Sequence, residues 1–216
     1  MPLICIEGPS AVGKTSTCKQ LTKQFDVFTI PEVIRKPISN LNAYEKAIHY
    51  LNLEVQRWEL AQEKLKIHEL VILDSDPFKP LWFNWSFNYQ NCLALDELEL
   101  FYRKQLEHQS IGFVDGYVLL TTTEQELRRR KANDPTRERI EFDHLMRINK
   151  PRETYYLQIN NWFHGYVNKF NAISIEQNVI NINNAMPKFK QPSDHPFSLH
   201  LFDSIIHWLR STSPPC

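Results

Sequence analysis

Residues 8–15 read Gly-Pro-Ser-Ala-Val-Gly-Lys-Thr, which matches the pattern G-x-x-x-x-G-K-[ST]. In this pattern the backbone N–H groups of the loop converge on a phosphate, and the glycines permit its close approach. Lys14 would reach the outer phosphates of a nucleotide, and the Thr15 hydroxyl would bind Mg²⁺. An apolar run at 3–6 precedes the loop and helical sequence follows it, which is the context that a phosphate loop requires. We therefore expect a nucleoside triphosphate to bind at Gly8, Ser10, Ala11, Val12, Gly13, Lys14, Thr15 and Ser16.

Short apolar runs typical of strands in a buried parallel sheet recur along the chain. They lie at residues 3–6, 27–30, 70–73, 117–120 and 179–182. Segments with helical spacing of apolar residues lie between and after them, at roughly 14–24, 42–68, 78–89, 96–107, 124–131, 141–149, 152–170 and 197–210. The aromatic residues of 78–89 fit a strand as well as a helix, and we favour the helix because acidic helical sequence follows directly. This order predicts one α/β domain over residues 1–216, with a central, mostly parallel five-stranded sheet flanked by helices in three layers.

The composition excludes several classes of protein. The chain has 216 residues, 42% of them apolar, and 25 basic residues balance 25 acidic ones, so it is neither disordered nor generally basic. A neutral chain argues against a nucleic-acid partner. Four dispersed cysteines predict reduced thiols and a cytoplasmic location, and no apolar run is long enough to span a membrane or resembles a signal peptide.

Among nucleotide-binding proteins, the sequence favours a small kinase. A GTPase would read its base with N-K-x-D, but the Asn-Lys pairs here continue as 149–152 (Asn-Lys-Pro-Arg) and 168–171 (Asn-Lys-Phe-Asn). Oligomeric motor ATPases usually need a longer chain. A kinase must hold the acceptor in line, bind Mg²⁺ and neutralise charge on the phosphoryl group that moves.

Three carboxylates follow predicted strands, at the edge of the sheet where ligands bind in such folds. Glu32 follows the second strand, and Asp74 and Asp76 follow the third. One of them would accept the proton of the acceptor, for which Glu32 and Asp74 are candidates, and Asp74 would help to hold Mg²⁺. Asp76 would contact the substrate. The structural alternative is that these residues cap a turn or a helix.

A strongly basic segment lies near residues 128–142. Residues 128–139 hold six basic and two acidic side chains, so the rest of the chain sums to a charge of about minus four. We expect a lid that closes over the triphosphate, with Arg129, Arg137 and Arg139 stabilising charge in the transition state. The alternatives are an ordinary solvated helix face or contact with RNA.

Taken together, these motifs resemble the deoxynucleoside kinase and thymidylate kinase group of P-loop kinases. Residues 6–8 (Ile-Glu-Gly) leading into the phosphate loop look like the opening of that group, and Pro31-Glu32 is similar to its Pro-Glu-Pro motif, with Val33 in place of the second proline. Residues 74–76 (Asp-Ser-Asp) stand where the group has Asp-Arg or Glu-Arg-Ser, so Ser75 replaces an arginine. Residues 127–139 look like the group's arginine-rich lid.

The resemblance implies a P-loop kinase fold with a lid, and transfer of the γ-phosphate of ATP, with Mg²⁺, to a nucleoside or nucleotide. Asn52, Gln56, Trp82 and Trp85 would form the acceptor pocket together with Glu32 and Asp76, because flat walls and amide edges suit a planar base. The missing arginine at position 75 keeps open an antibiotic or metabolite alcohol as acceptor. A nucleotide-binding regulatory or RNA-associated protein is the remaining alternative. Whether the chain forms a homodimer is left open.

Overall fold

The computed structural model describes residues 1–34, 37–90, 93–135, 141–189 and 196–215. Five strands form one sheet in the order β2-β3-β1-β4-β5, and every neighbouring pair is parallel. The strands are β1 Leu3–Glu7, β2 Val27–Ile30, β3 Leu70–Asp74, β4 Gly116–Thr121 and β5 Val167–Asn171. The α/β fold with a central parallel sheet is thus confirmed.

Helices connect the strands and cover both faces of the sheet. They are α1 Lys14–Gln24, α2 Ala43–Lys64, α3 Lys79–Ser86, α4 Leu95–Glu107, α5 Glu124–Ala132, α6 Phe142–Met146, α7 Asn149–Trp162, α8 Ile175–Ala185 and α9 Leu199–Ser211. Side chains cap the N-termini of several of these helices. In α2, for example, the Asn42 side chain accepts from the Glu45 N–H, and the Glu45 carboxylate accepts from the Asn42 N–H. The aromatic segment forms helix α3, as we favoured.

Two apolar cores lie on opposite faces of the sheet. Successive residues of β1 alternate between them, with Leu3 and Cys5 on one face and Ile4 and Ile6 on the other. The first face packs against α2, α3, α4, α7 and α9, and the second packs against α1, α5, α6 and α8. The protein therefore has the predicted three layers, with helices on both sides of the sheet.

The fifth strand lies elsewhere than the sequence predicted. Residues 179–182 belong to helix α8, where Val179 and Ile182 are three positions apart on one buried face. The strand at this edge is β5, of which residues 167–170 lie in the segment expected to be helical. Helix α7 ends at Trp162, and Gly165, with φ of 85°, turns the chain into β5. Because β5 is an edge strand with exposed positions, it lacks a continuous apolar run.

Two further expectations concern the lid and membranes. Arg137 and Arg139 lie in 136–140, outside the described residues, so the arginine-rich lid stays a prediction. The described part of the chain contains no helix long and apolar enough to cross a membrane.

The connections place one crevice at the carboxyl edge of the sheet. Strands β1 and β3 are neighbours, with Ile6 opposite Asp74. The chain leaves β1 towards α1 on one face and leaves β3 towards α3 on the other. Such a divergence opens a crevice between the two strand ends, which is where parallel α/β sheets bind ligands.

Gly116, the first residue of β4, offers a test of this packing. A Cβ atom added there would overlap the ring of Phe189, which packs against the second core. We expect Gly116→Ala to lower the free energy of unfolding by about 1–3 kcal/mol, as overpacking does. Urea unfolding measures the change.

Phe189→Ala provides the control through a double-mutant cycle. With the ring removed, Gly116→Ala should cost less than about 0.5 kcal/mol. An equal cost in both backgrounds would show that the ring is not the cause.

Candidate active site

The phosphate loop runs from the end of β1 to the start of α1 and has an unusual backbone. Gly8 has φ of 153°, Ala11 of 66° and Gly13 of 105°. A Cβ atom on Gly8 would overlap the carbonyl oxygen of Leu120 in β4, so a larger residue does not fit. The motif glycine at position 8 thus allows the loop to lie directly against the sheet.

Lys14 and Thr15 leave the loop in different directions. The Lys14 Nζ donates to the Gly8 carbonyl at 2.9 Å and to the Pro9 carbonyl at 3.4 Å, so the ammonium curls back over the loop. The Thr15 hydroxyl donates to Asp74 Oδ2 at 2.7 Å. This contact joins the phosphate loop to the end of β3, 59 residues later in the chain.

The Thr15–Asp74 pair fits a magnesium ion. Burial raises the pKa of Asp74, although Lys14 and the Thr15 hydrogen bond lower it. Its second oxygen, Oδ1, is buried and has no hydrogen-bond partner among the described residues. A hydroxyl and a carboxylate oxygen are ligands that Mg²⁺ prefers, with substrate phosphates and water completing its shell. No group of three or more His, Cys, Asp or Glu side chains suited to a metal occurs in the described ranges.

Glu7, at the end of β1, holds the two strand ends together. It is 2% exposed, and it accepts from the Gly8 N–H, the Ser75 hydroxyl and the Asp76 N–H at 2.8–3.1 Å. Burial raises its pKa, but the charges of Lys79, Lys14 and Arg152 and the hydrogen bonds outweigh burial and leave the pKa below its ordinary value. Glu7 is therefore an ionised anchor under the site.

Asp76 is fully buried below the crevice. Its carboxyl group accepts from the Tyr156 hydroxyl at 2.9 Å, the Phe78 N–H at 3.0 Å and the Tyr117 hydroxyl at 3.3 Å. Burial, together with the charge of Glu7, raises its pKa to about 7. The structure thus places Asp76 in a tyrosine cluster that anchors the segment before α3. Its role towards the substrate stays a prediction.

Two buried arginines that are not among the predicted site residues lie at the same edge. Arg57, on α2, donates to the carbonyls of Asp74 at 2.9 Å and Ser75 at 3.0 Å and pairs with Glu54. Arg152, on α7, places its Nε 4.0 Å from the Glu7 carboxylate. A guanidinium from α2 therefore contacts the backbone of Ser75, the position at which the resembled kinases carry an arginine.

A signal for Arg57 was present in the sequence. Glu54 and Arg57 interleave with the apolar stripe of Leu51, Val55 and Trp58 on the core-facing side of α2, and such charges are seldom buried without a partner. The predicted residues of this helix, Asn52 and Gln56, lie on its exposed surface.

The remaining predicted acceptor residues lie in three places. Glu32 follows β2, its side chain is 28% exposed, and its carboxylate is 3.7 Å from Lys79 Nζ. Trp82 is buried beneath Arg152, whose guanidinium carbon is 4.9 Å from the ring centroid. Trp85 belongs to the core at α9, where its Nε1 donates to the Thr212 carbonyl.

A cleft of about 450 Å³ opens beside the phosphate loop. Its walls are the loop, helix α5 and the connection between β5 and α8, and include Ala11, Gly13, Ser16, Arg129, Arg130, Ile173, Ile175 and Asn178. The guanidinium groups of Arg129 and Arg130 both bind Glu126. Glu126, Asp134 and Glu176 also line the cleft, so the two arginines are offset by carboxylates. The isoleucines lie across from them.

No protein-family model and no curated protein matches the sequence. Among solved structures, the chain is similar to deoxyadenosine kinase from M. mycoides with the products dCMP and a flexible dCDP bound. The TM-score is 0.58 at 16% identity, covering 86% of this chain and 98% of that one. The same enzyme with bound dATP gives a TM-score of 0.56 at 15% identity, covering 86% and 99%.

A second similar enzyme is thymidylate kinase from Candida albicans. Its structure gives a TM-score of 0.59 at 16% identity and covers 89% of this chain and 95% of the other. The likeness thus extends over nearly the whole length of both kinases. The chain therefore has the fold of the P-loop nucleoside and nucleotide kinases.

Proposed function

We propose that the protein is an ATP- and Mg²⁺-dependent phosphotransferase that moves the γ-phosphate of ATP to a nucleoside or nucleotide. The observation that carries the proposal is the contact between Thr15 and Asp74 at 2.7 Å, beside a phosphate loop with an adjoining cleft. The fold shared with deoxyadenosine kinase and thymidylate kinase supports the same reaction class.

The donor would occupy the phosphate loop and the adjoining cleft. Its phosphates would accept hydrogen bonds from the loop N–H groups at the start of α1, where the helix dipole favours an anion. Lys14 would exchange the carbonyls of Gly8 and Pro9 for phosphate oxygens. The base would lie between the arginines of α5 and the isoleucines of the β5–α8 connection. Arg129, Arg137 and Arg139 keep their proposed role towards the transferred phosphoryl group.

Mg²⁺ would be held by Thr15, Asp74 and the phosphates, and when bound it would neutralise charge that develops on the phosphoryl group. The residues of this chain would position it, because Asp74 lies at the end of the buried strand β3 and Glu7 binds the neighbouring loop.

The acceptor would bind on the β2–β3 side of the crevice. Glu32 is the candidate base there because its side chain is partly exposed, and Asp74 is the alternative. Arg57 and Lys79 are cations near this position, so the serine at 75 does not leave the acceptor side without positive charge. Both are paired with glutamates, Arg57 with Glu54 and Lys79 with Glu32. The preference for a nucleoside or nucleotide over an unrelated alcohol is supported by the shared fold.

An acceptor screen with γ-labelled ATP tests the proposal. We expect label on a deoxynucleoside or deoxynucleotide and loss of transfer in Lys14→Ala, because the loop would lose its phosphate-binding cation. Lys19→Ala, an exposed lysine of the same helix, is the matched control.

Other outcomes of this screen would contradict the proposal. Label on an antibiotic or metabolite alcohol alone would show that the acceptor belongs to that class and is not a nucleoside or nucleotide. Hydrolysis stimulated by nucleic acid, with no small molecule labelled, would identify the regulatory or RNA-associated alternative. Full transfer by Lys14→Ala would exclude the loop as the donor site.

Substitution of the two carboxylates separates their roles. Glu32→Gln and Asp74→Asn should each lower kcat by at least about 10²-fold. Asp74→Asn should also raise the Mg²⁺ concentration for half-maximal rate, because a carboxylate ligand is lost, whereas Glu32→Gln should leave it unchanged.

Steady-state kinetics over a Mg²⁺ titration measures both effects. Glu59→Gln, on the exposed surface of α2, serves as the control. An unchanged kcat in either variant would remove that residue from the mechanism, and an unchanged Mg²⁺ requirement in Asp74→Asn would remove it from the metal site.

A further inference from the structure

Arg130, on helix α5, binds three backbone carbonyls from two other segments. Its NH1 donates to the Val12 carbonyl of the phosphate loop at 2.8 Å. Its NH2 donates to the carbonyls of Ala172 at 2.6 Å and Ile173 at 3.1 Å, which follow β5. Its Nε donates to Glu126 at 2.7 Å. One guanidinium thus joins all three walls of the cleft.

The bond to Val12 bears directly on phosphate binding. The peptide unit between Val12 and Gly13 is planar and trans, so its carbonyl and its N–H point in opposite directions. A donor that holds the Val12 oxygen therefore fixes the direction of the Gly13 N–H. The positive charge at that oxygen also polarises the peptide unit and makes the N–H a better donor to an anion.

The neighbouring arginines have other surroundings. Arg128 pairs with Glu124 and Asp143, outside the residues that line the cleft. The side chain of Arg129 is 65% exposed and binds Glu126, whereas that of Arg130 is 22% exposed. Glu126 receives both, and its hydrogen bonds from Arg129 and Arg130 lower its pKa to about 2, so it stays ionised.

We propose that Arg130 is a positioning residue of the donor site, which fixes the direction of the Gly13 N–H and the separation of the cleft walls by binding the carbonyls of Val12, Ala172 and Ile173. The inference rests on the proposed donor site, but it requires no particular acceptor. A guanidinium suits this role because its rigid fork presents five donors in one plane.

Binding of two probes to Arg130→Met tests the proposal. We expect the Kd of ATP and that of inorganic tripolyphosphate each to rise about tenfold, the scale of one lost charge-assisted hydrogen bond. Tripolyphosphate has no base, so it reports on the phosphate loop alone. A higher Kd for ATP with an unchanged Kd for tripolyphosphate would therefore overturn the link between Arg130 and the phosphate loop. Unchanged affinity for both probes would overturn the proposal entirely.

Hydrogen exchange without nucleotide provides a readout independent of binding. Amides of 13–16 and of 173–175 should exchange faster in Arg130→Met, while the amides of β1 and β3 keep their protection. Uniformly faster exchange across the sheet would mean general destabilisation and would overturn a local positioning role. This measurement distinguishes failure of the inference from failure of the proposed kinase activity.

Two further variants control for charge and for helix composition. Arg130→Lys keeps the charge without the fork, and we expect it to bind both probes at least about threefold more weakly than wild type. Arg128→Met removes the same charge from the same helix and should stay within about twofold of wild type. Wild-type affinity in Arg130→Lys, or an effect of Arg128→Met equal to that of Arg130→Met, would overturn the proposal.

Discussion

The site depends on one buried carboxylate, that of Glu7. It accepts hydrogen bonds from the loop after β1 and from the segment after β3, and so it fixes two chain segments that diverge to opposite faces of the sheet. Without it, the N–H groups of Gly8 and Asp76 would lose a buried acceptor, which is costly. This anchor and the pairing of β1 with β3 lie directly beneath the Thr15–Asp74 contact.

An ionised carboxylate at that depth requires compensation. Arg152, Lys79 and Lys14 lower the pKa of Glu7, while Asp76, two residues beyond Asp74, has its pKa raised to about 7. At this edge of the sheet the protonation state of each buried carboxyl group thus depends on the charges of its neighbours. Such buried ion pairs contribute little net stability, because the cost of desolvation offsets their attraction.

The sequence predicted those parts of the structure that depend on local pattern. The phosphate loop, four of the strands and the α/β class follow from contiguous motifs and apolar runs. The edge strand β5 did not, because two of its five positions are exposed and only Val167 is fully buried. Nothing in the local sequence distinguishes Arg130 from Arg128. The two side chains point in different directions because each residue of an α-helix is rotated by about 100° from the one before it.

The acceptor side shows the same limit. The sequence predicts that Asn52 and Gln56 read a base, and this role stays a prediction. The phase of α2 places both on its exposed surface and brings Glu54 and Arg57 to the sheet edge. The apolar stripe of α2 determines which side of the helix faces the core. The buried charges within the stripe could have been found by asking which polar residues interrupt it.

The central position of β1 has a consequence for synthesis of the chain. Its partners are β3, with Leu3 opposite Val71, and β4, with Ile4 opposite Gly116, so both arrive long after β1 itself. A ribosome adding about 5–20 residues per second exposes an unpaired apolar strand and a nascent phosphate loop for several seconds. Because Asp74 emerges 59 residues after Thr15, the growing chain passes through an interval in which the loop exists but its partner does not.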